Sequence, residues 1–210
     1  RELIESAGGS FVEGAAARCD PEARVLYTTA GEELDYDVVS FNVGSVVPTE
    51  PLVPQEDADA VGESIFPAKP VSCLELASKK IAGGDPPRRI CVVGGGPGGV
   101  ELAANIKWRL GAESHVSLYA GSQLVPGRSA GFRRGVHDRL ENLGVEVHTD
   151  ARVSEVRRDR LILTERRVPA DMIILATGVR PPELFEKSGL PTGKQGGLLV
   201  DRYLSSVEYP

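Results

Sequence analysis

The stretch ICVVGGGPGGVELAANI, Ile90 to Ile106, passes from an apolar strand through a glycine loop into the start of a helix. Gly94, Gly96 and Gly99 fit G-x-G-x-x-G. The first glycine of that pattern permits a tight turn, the second lets backbone approach a pyrophosphate, and the third brings helix against strand. Gly95 and Gly98 complete the loop, and Pro97 suits a first helical position because the N–H it lacks would have no partner there. Free backbone N–H groups and the positive end of the helix dipole converge at this point, which makes Gly94 to Gly99 a candidate phosphate cradle. A glycine-rich turn by itself is weak evidence, so the flanking pattern has to decide.

Working outward, the chain alternates strictly. The strand RICVVG (89–94) precedes the helix PGGVELAANIKWRLG (97–111), and the strand HVSLYA (115–120) follows. Next comes a helix with Phe132, Val136, Leu140 and Leu143 on one face, then the strand VEVHTD (145–150). That is βαβαβ with parallel strands, and Gly111 and Gly144 stand where helix C-caps belong. ARVSEVRR (151–158) and RLILTER (160–166) read as a hairpin, and ADMIILATGV (170–179) as a buried strand returning to the sheet.

Upstream, residues 1–45 read as a short helix and a β-meander feeding one apolar strand in LDYDVVSFNVGS (34–45). Residues 46–72 carry Pro48, Pro51, Pro54, Pro67 and Pro70 and read as an extended connection over a surface. The helix SCLELASKKIAGG (72–84) and the linker GDPPRR (84–89) follow. The fold class expected is α/β. A Rossmann-like βαβαβ nucleotide-binding domain with a hairpin or meander insertion spans 88–178, between β-rich segments at 1–87 and 179–210.

Composition narrows the functions open to this fold. At 210 residues, 41% hydrophobic and 26% charged, the chain can build one or two cores. A formal net charge of −6 without a concentrated Lys/Arg block leaves no footprint for nucleic acid or an anionic membrane, so a small-molecule ligand is expected. No apolar run approaches the ~20 residues of a transmembrane helix, and RELIESAGG (1–9) lacks the apolar core of a signal peptide. Cys19, Cys73 and Cys91 are odd in number and far apart, without a C-x-x-C pair, so a reducing, cytoplasmic setting is expected and no cysteine is assigned to catalysis.

The nucleotide itself stays open between NAD and NADP. An NAD-preferring fold ends its second strand with an acid that accepts from the ribose 2′-hydroxyl, and here Ala120 and Gly121 occupy that end. Arg128, Arg133 and Arg134 follow, either as partners of a 2′-phosphate or as solvated charges on a helix face.

In order, LDYDVVSFNVGS, RRICVVGGGPGGVELAANI and ADMIILATGVRPP resemble the pyridine nucleotide-disulfide oxidoreductase superfamily, flavoproteins in which a nucleotide domain is inserted into an FAD domain. Gly94–Glu101 and the lack of a redox cysteine pair are most similar to type II NADH dehydrogenase-like flavoproteins. QLVPGRSAGFRRGV (123–136) further resembles the group associated with selenide, water dikinase. The resemblance implies that a first glycine motif binds FAD and that Ile90–Ile106 is the second, for NAD(P)H, with Gly178 beside it.

The resemblance also implies roles for Glu101, near the nicotinamide, and Lys69, near the flavin. By residue type alone, Glu101 equally compensates the helix dipole, and Lys69 reads as a solvated loop charge. The first residue is Arg, not Met, and the chain lacks both the family's first glycine motif and the Gly-Asp motif expected after VDRYLSSVEYP (200–210). An internal segment is therefore expected. SFNVGS (40–45) departs from the more usual Ala-Thr-Gly.

The expected function is the central portion of an FAD-dependent oxidoreductase, passing hydride from NAD(P)H to flavin and on to an unidentified acceptor such as a quinone. Peripheral membrane attachment of the intact protein stays open. The alternative is a non-catalytic nucleotide-binding or sensing module, or a partner subunit, on the same fold. This chain alone is expected to hold no FAD, to be inactive, and to self-associate as a homo-oligomer through exposed apolar sheet surface.

Overall fold

The structure, a computed structural model, describes residues 1–209. In chain order it forms α1 (Glu2–Ser6), β1 (Ala16–Asp20), β2 (Val25–Thr28), β3 (Glu33–Asp35), a 3-10 turn at Gln55–Ala60, β4 (Ile65–Pro67), α2 (Val71–Ala82), β5 (Arg89–Val93) and α3 (Pro97–Leu110). There follow β6 (His115–Tyr119), α4 (Ala130–Asn142), β7 (Val145–His148), β8 (Val153–Arg157), β9 (Arg160–Leu163), β10 (Arg167–Pro169), β11 (Met172–Leu175) and α5 (Leu184–Lys187). These elements gather into two compact units, one of Ser45–Arg180 and one of Arg1–Gly44 with the chain from Pro181 onward.

The larger unit is built on a five-stranded parallel sheet in the order β4-β11-β5-β6-β7. Side chains alternate across a strand, so each strand feeds two cores. On one face Ile90, Val92, Val116, Leu118, Met172 and Ile174 meet Ala77 and Ile81 of α2, Ala103 and Ile106 of α3, and Leu140 of α4. On the other, Ile65, Cys91, Val93, Ile173 and Leu175 meet Val153, Val156, Leu161 and Leu163. That second layer is the antiparallel sheet β10-β9-β8. Three layers result, helices over parallel sheet over antiparallel sheet, which explains why β5 and β11 read as continuous apolar runs. At the amino ends of these central strands, the Asp171 carboxylate accepts from the backbone N–H of Arg89 at 2.9 Å and from its guanidinium Nη2 at 2.6 Å. The Arg89 guanidinium holds that carboxyl below its ordinary range.

Two elements of this unit depart from the sequence reading. Residues 65–67 are a strand, not part of a surface connection: Ile65 and Phe66 are buried and pair parallel with Ile173 and Ile174. Three residues ending in proline carry too little pattern to show it, and Pro67 is tolerated because β4 is an edge strand. The hairpin of β8 and β9 also gains a third strand, β10. By compactness, the larger unit therefore begins at Ser45, upstream of the boundary at residue 88 drawn from the sequence.

The smaller unit contains the β1-β2-β3 meander, with α5 held to β1 where the Cys19 N–H donates to the Ser188 hydroxyl at 2.8 Å. The apolar strand expected in residues 34–45 does not form beyond β3; Val38 is 88% exposed, and apolar content alone did not supply a pairing partner. The Cys19 thiol lies 3.1 Å from the Tyr36 hydroxyl, and burial pushes that phenol up to about 12. Several large apolar side chains of this unit are open to solvent, among them Leu3, Tyr203, Leu204 and Val207.

Candidate functional site

The carboxyl ends of the parallel strands form one continuous edge. Its backbone ladder continues past the strands: Ala68 N–H donates to the Leu175 carbonyl, Ala176 to Val93, Gly94 to Tyr119 and Ala120 to His148, each within 2.8–2.9 Å. Lys69, Gly178, Gly94 and Ala120 therefore lie along the same edge of the sheet, the end at which open α/β folds take their ligands. Gly178 follows β11 at φ +116 with open space where a side chain would project. Lys69 follows β4 and its carbonyl accepts from the Val47 N–H at 3.1 Å.

Within the glycine loop the five glycines divide sharply. A Cβ on Gly99 would stand 1.8 Å from the Gly94 carbonyl oxygen, and one on Gly94, at φ +128, would stand 2.2 Å from the Ala176 oxygen. A Cβ on Gly95 would meet the Ala120 methyl at 2.5 Å. These three glycines let α3 press onto the ends of β5, β6 and β11. At Gly96 and Gly98, in contrast, a Cβ would meet no atom within 4 Å, so both positions face open space. No acceptor among the described residues takes the N–H of Gly96 or Gly98, so both point unpaired from the positive end of a fourteen-residue helix. Pro97 occupies the first helical position and Gly96 the N-cap.

The loop after β6 closes over this end. The Val125 N–H donates to the Gly95 carbonyl at 2.7 Å. Val125 is buried at φ +38, an unusual conformation for a β-branched residue that this bond and the burial hold in place. An open cavity of about 320 Å³ results, bounded by Gly95, Gly96, Ala120, Gly121, Ser122 and Arg152, with Gln123 and Pro126.

Ala120 lines this cavity at 1% exposure, with its methyl turned toward Gly95 and the helix-side core. Glu101 is exposed and begins the second turn of α3. Arg128, Arg133 and Arg134 do not line the cavity, and the Arg133 guanidinium donates to the Arg128 carbonyl.

The residue that sequence reasoning missed is Arg152. Two backbone bonds of 2.9 Å, Ala151 N–H to the Ala120 carbonyl and Asp150 N–H to the Ser122 carbonyl, tie its segment to the end of β6. No spacing in the sequence announces a contact across thirty residues. Cys91, by contrast, is a buried thiol: its Sγ lies 3.6 Å from the Ser117 hydroxyl, and burial pushes its pKa up.

A parallel sheet whose carboxyl edge carries a strand–glycine loop–helix unit defines a Rossmann-type α/β protein. Residues 7–209 match the family Pyridine nucleotide-disulphide oxidoreductase, and the chain belongs to it. Members of this family are oxidoreductases that bind FAD and NAD(P)H. The chain is 31% identical over 191 residues to the nitrite reductase NAD(P)H large subunit of Klebsiella oxytoca, covering 88% of this chain and 19% of that protein. It is 29% identical over 121 residues to the demethylphylloquinone reductase NdbB of a Synechocystis strain, covering 55% of this chain and 30% of that one. A solved structure of an FAD-dependent pyridine nucleotide-disulphide oxidoreductase from Desulfovibrio vulgaris superposes with a TM-score of 0.78 at 26% identity, over 97% of this chain and 52% of that one. The chain thus spans between a fifth and about half of these relatives.

The two family cofactors fit the described residues differently. The open glycines and free N–H groups at α3 suit the pyrophosphate of a nicotinamide nucleotide. For FAD there is no second strand–glycine loop–helix among the described residues; the smaller unit offers a meander and helices of four and five residues. No helix of the described residues is long and apolar enough to cross a membrane.

Proposed function

We propose that Gly94–Gly99 and Gly178 hold NAD(P)H in a flavin-dependent oxidoreductase. The observation that carries this reading is the pair of unpaired N–H groups, on Gly96 and Gly98, at a helix start kept clear of side chains. Those amides and the α3 dipole bind and orient the pyrophosphate, while Gly94, Gly95 and Gly99 hold helix and strands close enough to fix its position. Gly178 leaves the next stretch of the same edge open, and Glu101 and Lys69 are the candidate contacts for the nicotinamide and the flavin. When bound, the nicotinamide supplies a hydride for FAD, and the electrons pass on to an acceptor. The demethylphylloquinone reductase among the relatives supports a quinone as that acceptor. The free, widely spaced cysteines support a reducing, cytoplasmic setting.

The chain's own residues supply binding and orientation, so flavin is to be sought in the polypeptide at the length of its relatives. Anaerobic addition of NADPH or NADH to that protein is expected to bleach the visible flavin absorbance. Nucleotide binding without bleaching would reject hydride transfer and favour the sensing module. The 210-residue chain by itself is expected to bind nucleotide, remain colourless and run as a dimer or larger species.

A further inference from the structure

Around the cavity at the end of β6, the groups that would discriminate one nicotinamide nucleotide from the other can be named. Among the described residues no carboxylate lines it. Ala120 and Gly121 stand where an acid would accept from a ribose 2′-hydroxyl, and the Ala120 methyl is already packed toward Gly95. Arg152 lines the same cavity, its Cγ 3.9 Å from the Cβ position of Gly121. Among the described residues its guanidinium forms no ion pair within 4 Å and no hydrogen bond, whereas Arg157, Arg158 and Arg89 are each engaged by carboxylates. Asp150, two residues away, is joined to the cavity wall through its backbone N–H and does not line the cavity. Ser122 adds a hydroxyl donor on the same wall.

We infer that Arg152 selects NADPH over NADH by pairing with the 2′-phosphate of the adenosine ribose, with Ser122 as a second donor. This rests on the reading of Gly94–Gly99 as the pyrophosphate site. An arginine fork matches a phosphate dianion in charge and geometry, and the bare hydroxyl of NADH offers it no anion. The lack of an acid removes the opposing preference, because specificity is the difference between the two affinities. The position is exposed, so the pairing is screened by salt and its effect is moderate.

Calorimetric titration of the 210-residue chain with NADP⁺ and NAD⁺ tests this directly. The wild type is expected to bind NADP⁺ about tenfold more tightly, roughly 1.4 kcal/mol, with the ratio shrinking as salt is raised. Arg152→Met should bring the ratio to within about twofold by weakening NADP⁺ alone, and Arg152→Lys should keep part of it. Arg134→Met, outside the cavity, should leave the ratio intact. Gly121→Glu places a carboxylate beside Arg152 in available space and should reverse the preference toward NAD⁺. Equal binding of both nucleotides by the wild type, a ratio that survives Arg152→Met, or an equal loss of both in that variant overturns the inference and leaves the pyrophosphate site standing. Binding of neither nucleotide overturns the site and the inference together.

Discussion

Gly99→Ala is expected to unfold the larger unit or lower its melting temperature by about 10 °C, whereas Gly98→Ala, one residue away, is expected to leave stability unchanged or slightly raised. The contrast follows from what each new methyl group would meet. At Gly99 it would lie 1.8 Å from the Gly94 carbonyl oxygen and 3.0 Å from the Gly94 carbonyl carbon, both backbone atoms. Gly94 cannot yield, since it is fixed at φ +128 and its own α-carbon faces the Ala176 carbonyl. Relief requires α3 to move off the sheet, which opens the contacts of Ala103 and Ile106 in the helix-side core. Overpacking of this kind costs about 3 kcal/mol or more, and that cost sets the expected shift in melting temperature. Gly98 meets nothing within 4 Å and lies in a helix, where alanine gains up to about 1 kcal/mol over glycine. Thermal unfolding followed by circular dichroism measures both, and equal melting temperatures for the two variants would mean that α3 does not rest on Gly94.

The second large effect falls on binding and spares the fold. Gly96 is the N-cap of α3 at φ −73 and ψ 176, extended backbone that any residue adopts, and its Cβ direction is open. Valine is therefore accommodated without a clash, yet its methyl groups fill the space between the loop and any pyrophosphate on the free N–H groups. Gly96→Val is expected to weaken NADP⁺ binding about a hundredfold, roughly 2.7 kcal/mol, with an unchanged circular dichroism spectrum and melting temperature. Unchanged affinity with an intact fold would remove the loop from the site.

These two glycines also show how far the sequence could be read. G-x-G-x-x-G between an apolar strand and a helix determined the unit's local geometry, because tight turn, helix start and close packing each demand glycine or proline at a set spacing. The alternation of apolar strands and amphipathic helices pointed to the parallel sheet for the same reason. What escaped were features made by tertiary contact alone. β4 consists of Ile65, Phe66 and Pro67, and becomes a strand only because β11 offers it an edge. Arg152 reaches the cavity through bonds from Asp150 and Ala151 to Ser122 and Ala120, a juxtaposition set by the register of β6 against β7. Conversely, the apolar residues near Val38 suggested a strand for which the fold supplies no partner.

On this account a nicotinamide nucleotide lays its pyrophosphate on the start of α3, at the carboxyl edge of the parallel sheet. Titration of the ¹⁵N-labelled chain with NADP⁺, followed by amide chemical shifts, tests that placement most directly. The amides of Gly96 and Gly98 should shift most, with smaller changes at Gly121, Ser122 and Gly178. Shifts confined to the opposite edge, around Arg88, Ser114 and His115, or to the smaller unit would contradict it.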